Sequence, residues 1–338
     1  MTKQLAVVLK ADSQIGTGHL MRIRNLLPYL PECTFTLYTD SLAETLKSLT
    51  YEYSRIVRGS LTELPALIAA DRPELVLIDH YYVDESFERP LYERCKVAVI
   101  DDLANRRHCC HALFDQGMAR KESDYLPWVN PQCKLYCGSA YSMVRPQFAA
   151  VNRLPHAGKP RVLVSYGGAD PVHACLRVAR SILQGRLNER YEFVVLCGAA
   201  NHDYAALKEL LGAASGVELL QSSTDVPALF ARCDLALGAC GGMFSERLCA
   251  GLPAISTVIA DNQEGADLLV QKLRLGLTLT LEELQDPVLV ECSLDKLWAG
   301  REYFAAAGRA LFDGHGLSRI ARALLKLIPD HQSSFPES

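Results

Sequence analysis

The sequence lacks long apolar runs, and it lacks an excess of charge of either sign. Nowhere do about eighteen apolar residues follow one another, so no segment is expected to span a membrane. The apolar run within residues 1–10 is too short for a signal peptide, which predicts a cytoplasmic protein. Lys and Arg number 35 against 39 Asp and Glu, and the net charge of -4 gives no electrostatic case for binding nucleic acid or an anionic membrane. We therefore expect a small-molecule partner and a monomeric chain.

Paired cysteine motifs are also missing. The chain has 12 cysteines but no C-x-x-C spacing, and most stand singly in apolar segments, where a thiol acts as a small core hydrophobe. The exception is the His-Cys-Cys-His run at 108–111, whose adjacent side chains point in different directions and have no obvious second ligand pair. We predict neither a metal site nor a cofactor.

The glycine fingerprint of dinucleotide-binding proteins is incomplete. Gly16 and Gly18 follow an apolar strand, but Met21 stands where the third glycine belongs, which argues against an NAD-type site. The two glycines still allow a sharp turn and the close approach of a ligand. His19 follows in the first turn of an amphipathic run, where unpaired N–H groups face a ligand. We interpret 10–19 as a catalytic loop; the alternative is a tight turn followed by a histidine without a catalytic role.

Apolar runs of strand length alternate with helical patterns in the first half. This alternation predicts a parallel sheet with helices on both faces, and such sheets bind ligands at the carboxyl ends of their strands. Polar loops that begin with a carboxylate follow strands there, at 12–19, 79–82 and 101–102. The predicted strands are 5–9, 34–38, 52–57, 75–78 and 96–100, and the predicted helices are 20–30, 42–49, 61–70 and 85–94.

A segment with two prolines and a glycine, 150–160, has the composition of an exposed linker. A second series of alternating strands and helices follows it. The sequence therefore predicts an α/β protein of two doubly wound, Rossmann-like domains. We place the first domain at 1–150, the second at 160–330 and a flexible polar tail at 331–338.

Two glycine pairs follow strands in the second half. Backbone N–H groups at Gly167 and Gly168 would face an anion, and Gly241 and Gly242 repeat this arrangement. Glu246 lies one turn inside the second of the helices that follow, where a carboxylate can accept both hydroxyls of a ribose. The pattern predicts a nucleoside diphosphate site. Plain tight turns and a solvated glutamate are the alternatives.

Together these residues resemble the nucleotide-sugar enzymes of the GT-B fold. The first half resembles the UDP-2,4-diacetamido-2,4,6-trideoxy-beta-L-altropyranose hydrolases of pseudaminic acid synthesis, and the resemblance extends over roughly residues 3–275 with its motifs in order. The motifs lie at 12–19, 78–81, 101–102, 123–125, 138–148, 167–168, 241–246 and 261–263. The resemblance implies two domains that face a cleft, of which the second binds UDP.

The resemblance also implies the reaction. Water would displace UDP at the anomeric carbon with inversion and without a metal ion, releasing the free hexose. His19 matches the histidine that follows G-x-G in the family and would accept the proton of water, with Asp12 and Tyr81 as further catalytic residues. Asn262 and Gln263 match polar positions of the substrate site, which would also include the glycines at 16, 18, 167, 168, 241 and 242 and Glu246.

Two other functions stay open. A GT-B glycosyltransferase would pass the same UDP-sugar to an acceptor, and the turn at 238–242 is closer to those enzymes than to the hydrolases. A nucleotide-sugar-binding protein without activity would need His19 to be structural. UDP release without an acceptor distinguishes hydrolysis from both.

Overall fold

The chain folds into two compact units. The computed structural model describes residues 2–10, 18–41, 53–152, 158–260, 263 and 265–328; the predicted helix at 42–49 and the predicted tail at 331–338 lie outside them. The first unit comprises Met1–Val144 and His315–Ser338, and the second unit is Arg145–Gly314. None of the helices in these described ranges combines the length and hydrophobicity that crossing a bilayer requires.

A seven-stranded parallel sheet forms the centre of the first unit, in the order β3-β2-β1-β4-β5-β6-β7. Alternate residues of β1 enter two different cores: Leu5 and Val7 lie in one, and Ala6 and Val8 lie in the other. Both faces of the sheet are therefore covered. The strands are β1 (Lys3–Leu9), β2 (Cys33–Thr39), β3 (Arg55–Arg58), β4 (Leu75–Asp79), β5 (Lys96–Ile100), β6 (Ala112–Asp115) and β7 (Lys134–Cys137), and the helices are α1 (Gly18–Leu26), α2 (Leu64–Asp71) and α3 (Glu85–Tyr92).

The second unit has a six-stranded parallel sheet in the order β10-β9-β8-β11-β12-β13. Its strands are β8 (Arg161–Ser165), β9 (Glu192–Leu196), β10 (Val217–Leu220), β11 (Leu235–Ala239), β12 (Ala254–Thr257) and β13 (Leu277–Thr278). Its helices are α4 (Pro146–Ala149), α5 (Ala174–Gln184), α6 (Tyr204–Leu211), α7 (Val226–Ala231), α8 (Gly242–Cys249), α9 (Ala266–Lys272), α10 (Pro287–Ala299) and α11 (Arg301–Leu311). The prediction of two α/β domains with parallel sheets is confirmed.

The last described helix, α12 (Gly316–Leu325), belongs to the first unit. The sequence pattern alone had predicted this segment as part of a second domain at 160–330. Its apolar face carries Leu317, Ile320 and Leu324, which are buried in the same core as one face of β1. Burial of these side chains stabilises the first unit, so the chain returns to that unit after completing the second.

Candidate active site

Neighbouring strands bring two of the predicted site segments together. β1 and β4 pair in parallel, and Leu9 lies opposite Asp79 where both strands end. His19 is the second residue of α1, the described helix that follows β1 along the chain. Its side chain is buried and reaches the end of β4, where His19 Nδ1 lies 2.5 Å from Asp79 Oδ1.

The Asp79 carboxylate sets the tautomer of His19. A carboxylate accepts hydrogen bonds, so this short contact assigns the proton to His19 Nδ1. Nε2 of the neutral ring then carries a lone pair and can accept a proton. The arrangement has the chemistry of a general base that a buried carboxylate orients, and the same carboxylate would stabilise the imidazolium that forms.

Arg22, one turn after His19 on α1, binds the same carboxylate. Its Nε donates to Asp79 Oδ2 at 2.6 Å, and its Nη2 donates to Asp79 Oδ1. Nη2 also lies 3.0 Å from His19 Nδ1, so N–H groups of the guanidinium and of the imidazole converge on one carboxylate. Arg22 was not among the site residues predicted from the sequence. A signal existed, because residues three apart lie on the same face of a helix.

Asp79 is fully buried, and its charge depends on these neighbours. Burial raises the pKa of Asp79, but the charge and hydrogen bonds of Arg22, together with the hydrogen bond from His19, outweigh burial and hold the pKa below its ordinary value. The carboxylate is therefore ionised at neutral pH and accepts both donors.

The ionised Asp79 is expected to make the stability of the fold depend on pH in the acidic range. A carboxylate whose folded pKa lies below the unfolded value of about 3.9 stabilises the fold fully above that pH, and its contribution is lost as pH falls through the folded pKa. Asp79→Asn removes the contribution at every pH. We expect the difference in melting temperature between wild type and Asp79→Asn to shrink below about pH 4, as measured by circular dichroism. A difference that is the same at neutral and acidic pH would contradict a lowered pKa.

Tyr81 lies beside the imidazole, as part of the loop after β4. Its ring meets His19 edge to face, with the ring centroids 4.4 Å apart. The Tyr81 hydroxyl donates to Asp102 Oδ2 at 3.2 Å, and the same oxygen accepts from Arg22 Nη1 at 3.1 Å. Burial, with the nearby charge of Asp102, raises the pKa of Tyr81 to about 12. Tyr81 is thus a neutral hydrogen-bond donor that helps to fix the ring of His19.

A second polar network holds the loop that carries Asp102. The buried hydroxyl of Tyr125 lies 2.9 Å from Asp101 Oδ2 and 2.6 Å from Asp115 Oδ2, so its single proton is shared between the two carboxyl groups. Arg120 contacts Asp115 Oδ2 through Nε at 3.0 Å and donates from Nη2 to the Asp102 carbonyl at 2.8 Å. These bonds tie the ends of β5 and β6 together, so the position of Asp102 depends on side chains that do not touch His19.

In the second unit, the turn at Gly167 and Gly168 is separated from the start of the helix that follows it. Gly167 has φ +92°, and within the described part of the chain a Cβ at Gly168 would meet no atom within 4 Å, so the turn is open there. The next helix, α5, begins only at Ala174, and its first N–H groups are already bound. Asp170 accepts from the N–H of Ala174 at 2.9 Å and from that of Cys175 at 2.8 Å. The helix start is therefore occupied by a carboxylate, and only the turn itself is left for an anion.

The turn at Gly241 and Gly242 leads directly into a helix, and the N-cap residue of that helix provides no side-chain cap. α8 begins at Gly242, and Gly241 supplies no side-chain cap. A Cβ at Gly242 would meet no atom of the described residues within 4 Å, whereas one at Gly241 would lie 3.1 Å from Gln263 Nε2. Gln263 is oriented by the N–H of Ile259, which donates to its Oε1 at 3.2 Å. The uncapped helix start and the Gln263 amide thus lie at one turn, where both can donate to an anion.

Glu246 faces Arg145 within the second unit. Arg145 Nη2 donates to Glu246 Oε1 at 3.3 Å, and the guanidinium lies 4.8 Å from the centroid of the Phe148 ring. Burial raises the pKa of Glu246, and the charge of Arg145 opposes the shift without reversing it. The carboxylate is thus half-buried on α8, one turn beyond the glycine pair.

Comparison with curated proteins gives two relatives, while no family model matches the chain. A UDP-2,4-diacetamido-2,4,6-trideoxy-beta-L-altropyranose hydrolase of Campylobacter jejuni is 28% identical over 184 residues, 53% of this chain and 66% of the hydrolase. An uncharacterized protein of Methanocaldococcus jannaschii is 20% identical over 268 residues, 75% of this chain and 55% of that protein. The matched regions thus span less than two thirds of either relative. The resemblance to the hydrolases is confirmed.

Solved structures share the fold over nearly all of the chain. MurG of Acinetobacter baumannii has a TM-score of 0.69 at 12% identity and covers 96% of this chain with 99% of its own. The calicheamicin glycosyltransferase CalG4 has a TM-score of 0.68 at 13% identity, with 99% of this chain and 100% of its own covered. The fold is GT-B-like. A Listeria monocytogenes protein described as a UDP-N-acetylglucosamine 2-epimerase shares it at a TM-score of 0.62 and 14% identity, covering 98% of this chain and 99% of its own.

Within this GT-B-like fold, the predicted site residues fall into three groups. His19 and Tyr81 meet in the first unit, where Gly18 is the first residue of α1. Gln263 meets the Gly241 turn in the second unit, and Glu246 lies on the helix that follows. Asp12, Gly16 and Asn262 lie outside the described residues, so their placement stays a prediction.

Proposed function

We propose that the chain hydrolyses a UDP-linked 2,4-diacetamido-2,4,6-trideoxyhexose at the anomeric carbon, with inversion, and releases UDP and the free sugar for pseudaminic acid synthesis. The observation that carries the proposal is the contact between His19 Nδ1 and Asp79 Oδ1 at 2.5 Å, which leaves Nε2 as a proton acceptor. The similarity to the Campylobacter jejuni hydrolase supports the substrate class. We further propose that the protein is a cytoplasmic monomer and that it does not bind nucleic acid.

In the proposed step, His19 Nε2 takes a proton from water while the water oxygen bonds to the anomeric carbon. The bond between that carbon and the UDP oxygen breaks, and UDP leaves with the electron pair. Because UDP is a competent leaving group, the protein needs mainly to position water, accept its proton and stabilise the diphosphate. Asp79 balances the positive charge that His19 acquires, and Tyr81 holds the ring.

We assign UDP to residues of the second unit. The N–H groups at the Gly241-Gly242 turn and the Gln263 amide are suited to the diphosphate because they are donors at an uncapped helix start. Glu246 is suited to the ribose hydroxyls because its carboxylate accepts hydrogen bonds. Gly167, Gly168 and Asn262 remain assigned to the nucleotide on their sequence pattern.

The test is phosphorus NMR of the protein with the UDP-linked diacetamido-trideoxy-altrose, without an acceptor. Release of UDP and free sugar supports hydrolysis. Binding of UDP without release would overturn hydrolysis in favour of an acceptor-dependent glycosyltransferase or of a binding protein without activity, and sugar transfer to added acceptors separates these two. A protein that binds neither UDP nor the UDP-sugar contradicts the proposal altogether.

Glu246→Ala is expected to weaken binding of both uridine and UDP, because both carry the ribose. The loss of hydrogen bonds to a charged group predicts about a tenfold higher Kd for each ligand, measured by isothermal titration calorimetry. Glu209→Ala is the matched control, because Glu209 is an exposed residue of α6 in the same unit. Unchanged uridine affinity in Glu246→Ala would remove the ribose assignment.

A further inference from the structure

Arg247, on α8, is an arginine whose side chain is almost wholly enclosed in the second unit. The residue is 2% exposed, and its guanidinium lies against the carboxyl end of β11. Nη2 donates to the carbonyl of Ala239, the last residue of β11, at 2.7 Å. Helical side chains lean toward the N-terminus of their helix, which directs this one back toward the start of α8.

The charge of Arg247 is only partly balanced, by the nearby carboxylate of Glu246. In the described parts of the chain no carboxylate forms an ion pair with it, and its buried Nε has no hydrogen-bond partner. The adjacent carboxylate of Glu246 instead faces Arg145. Burial lowers the pKa of Arg247, yet a guanidinium stays protonated in proteins because its ordinary value is so high. A buried cation without an ion-pair partner lowers the stability of the folded protein, and the charge of a bound anion would compensate it.

The backbone around the guanidinium is shaped to admit it. Gly238, one residue before the end of β11, has no room for a Cβ, because Arg247 Nη1 and the Ser165 carbonyl occupy that space. Gly238 is paired with Ser165 of β8, so the guanidinium is held where two central strands end. The uncapped start of α8 at Gly242 follows within the same turn. A fixed cation and a helix start whose N-cap glycine brings no side-chain acceptor, both positive, therefore lie at one turn.

We propose that Arg247 is a buried countercharge for the diphosphate of UDP at the Gly241-Gly242 turn, acting as a positioning residue. This inference rests on the proposed binding of UDP by the second unit. The guanidinium need not touch the phosphates: it holds the end of β11 through the Ala239 carbonyl and adds its field to that of the helix start. Burying the unpaired charge of Arg247 raises the free energy of the ligand-free protein, and this penalty is offset when the anion binds. Arg247 therefore favours the charged ligand over the neutral nucleoside.

The test compares uridine with UDP in Arg247→Met, which keeps a long apolar side chain and removes the charge. Calorimetry is expected to give a UDP Kd at least about tenfold higher than in wild type, with the uridine Kd within about twofold. The melting temperature of the ligand-free variant is expected to be equal to or above that of wild type, because an unpaired buried charge is gone. Arg180→Met is the matched control, since Arg180 is exposed on α5 and its removal should leave both affinities unchanged.

Equal weakening of uridine and UDP in Arg247→Met would overturn the inference, because a merely structural residue affects both ligands. An unchanged UDP affinity would overturn it as well. If Arg247→Met does not fold, Arg247→Lys and Arg247→Gln replace it: lysine should keep part of the preference for UDP over uridine, and glutamine should lose it. Wild-type protein that binds uridine and UDP equally would contradict the countercharge, whereas wild type that binds neither would refute the proposed function and this inference with it.

Discussion

His19→Ala is expected to lower turnover of the UDP-sugar by about 10²- to 10⁴-fold, the range that a positioned general base contributes. The variant keeps Asp79 and Arg22 as an ion pair, so the carboxylate remains compensated when the imidazole is removed. UDP affinity is expected to stay within about twofold, because we assign the nucleotide to residues of the second unit. Phosphorus NMR measures turnover, and calorimetry measures UDP binding.

His19→Gln provides a second measurement, since a glutamine amide can still donate toward Asp79 but cannot accept a proton at neutral pH. His202→Ala is the control, because His202 is exposed in the second unit and lies outside the proposed site. If both His19 variants turn over within about tenfold of wild type, His19 is not the base. If UDP affinity falls in parallel with turnover, the division of tasks between the two units is wrong.

The fold was largely predictable because parallel sheets are buried on both faces. The apolar run at 75–78 and the carboxylate that follows it are enough to predict a central strand with a polar end, and the structure extends β4 through Asp79. The position of α12 was not predictable in the same way. Its amphipathic pattern predicts that one face is buried but does not indicate which of the two cores buries it. In the structure that face lies in a core of the first unit.

The positions of the candidate site were partly predicted from the sequence, whereas the buried arginines that balance or add charge there were not. Strand ends and glycine turns pointed to His19 and to the Gly241-Gly242 turn. Arg22 and Arg247 were missed because a basic residue on a helix is normally solvated. The spacing of Arg22 from His19 was a signal, but burial shows that each guanidinium lies at the end of a strand. That the Asp170 carboxylate occupies the start of α5 was not predicted either, because it depends on where that helix begins.

Asp79→Asn is expected to reduce turnover by about 10²- to 10⁴-fold although His19 is still present, because the carboxylate decides which ring nitrogen carries the proton. Both oxygens of Asp79 are in use: Oδ2 accepts from Arg22, and Oδ1 accepts from His19 and from Arg22. Asparagine has one acceptor oxygen. If that oxygen pairs with Arg22, the amide NH₂ of the asparagine faces His19 Nδ1 and donates a hydrogen bond to it. The ring proton then moves from Nδ1 to Nε2. His19 therefore loses the Nε2 lone pair that would accept the proton of water.

Nitrogen NMR of the histidine ring distinguishes this cause from a general loss of structure. Wild type should show the Nδ1–H tautomer of His19 and Asp79→Asn the Nε2–H tautomer, while UDP affinity is retained. Asp102→Asn is the comparison, because Asp102 contacts Arg22 and Tyr81 but no nitrogen of His19. This variant is expected to lower turnover by about tenfold or less and to keep the wild-type tautomer of His19. If Asp79→Asn keeps the wild-type tautomer and still loses turnover, Asp79 acts by balancing the charge of the imidazolium. If it keeps both tautomer and turnover, the buried pair is structural and the base must be sought elsewhere.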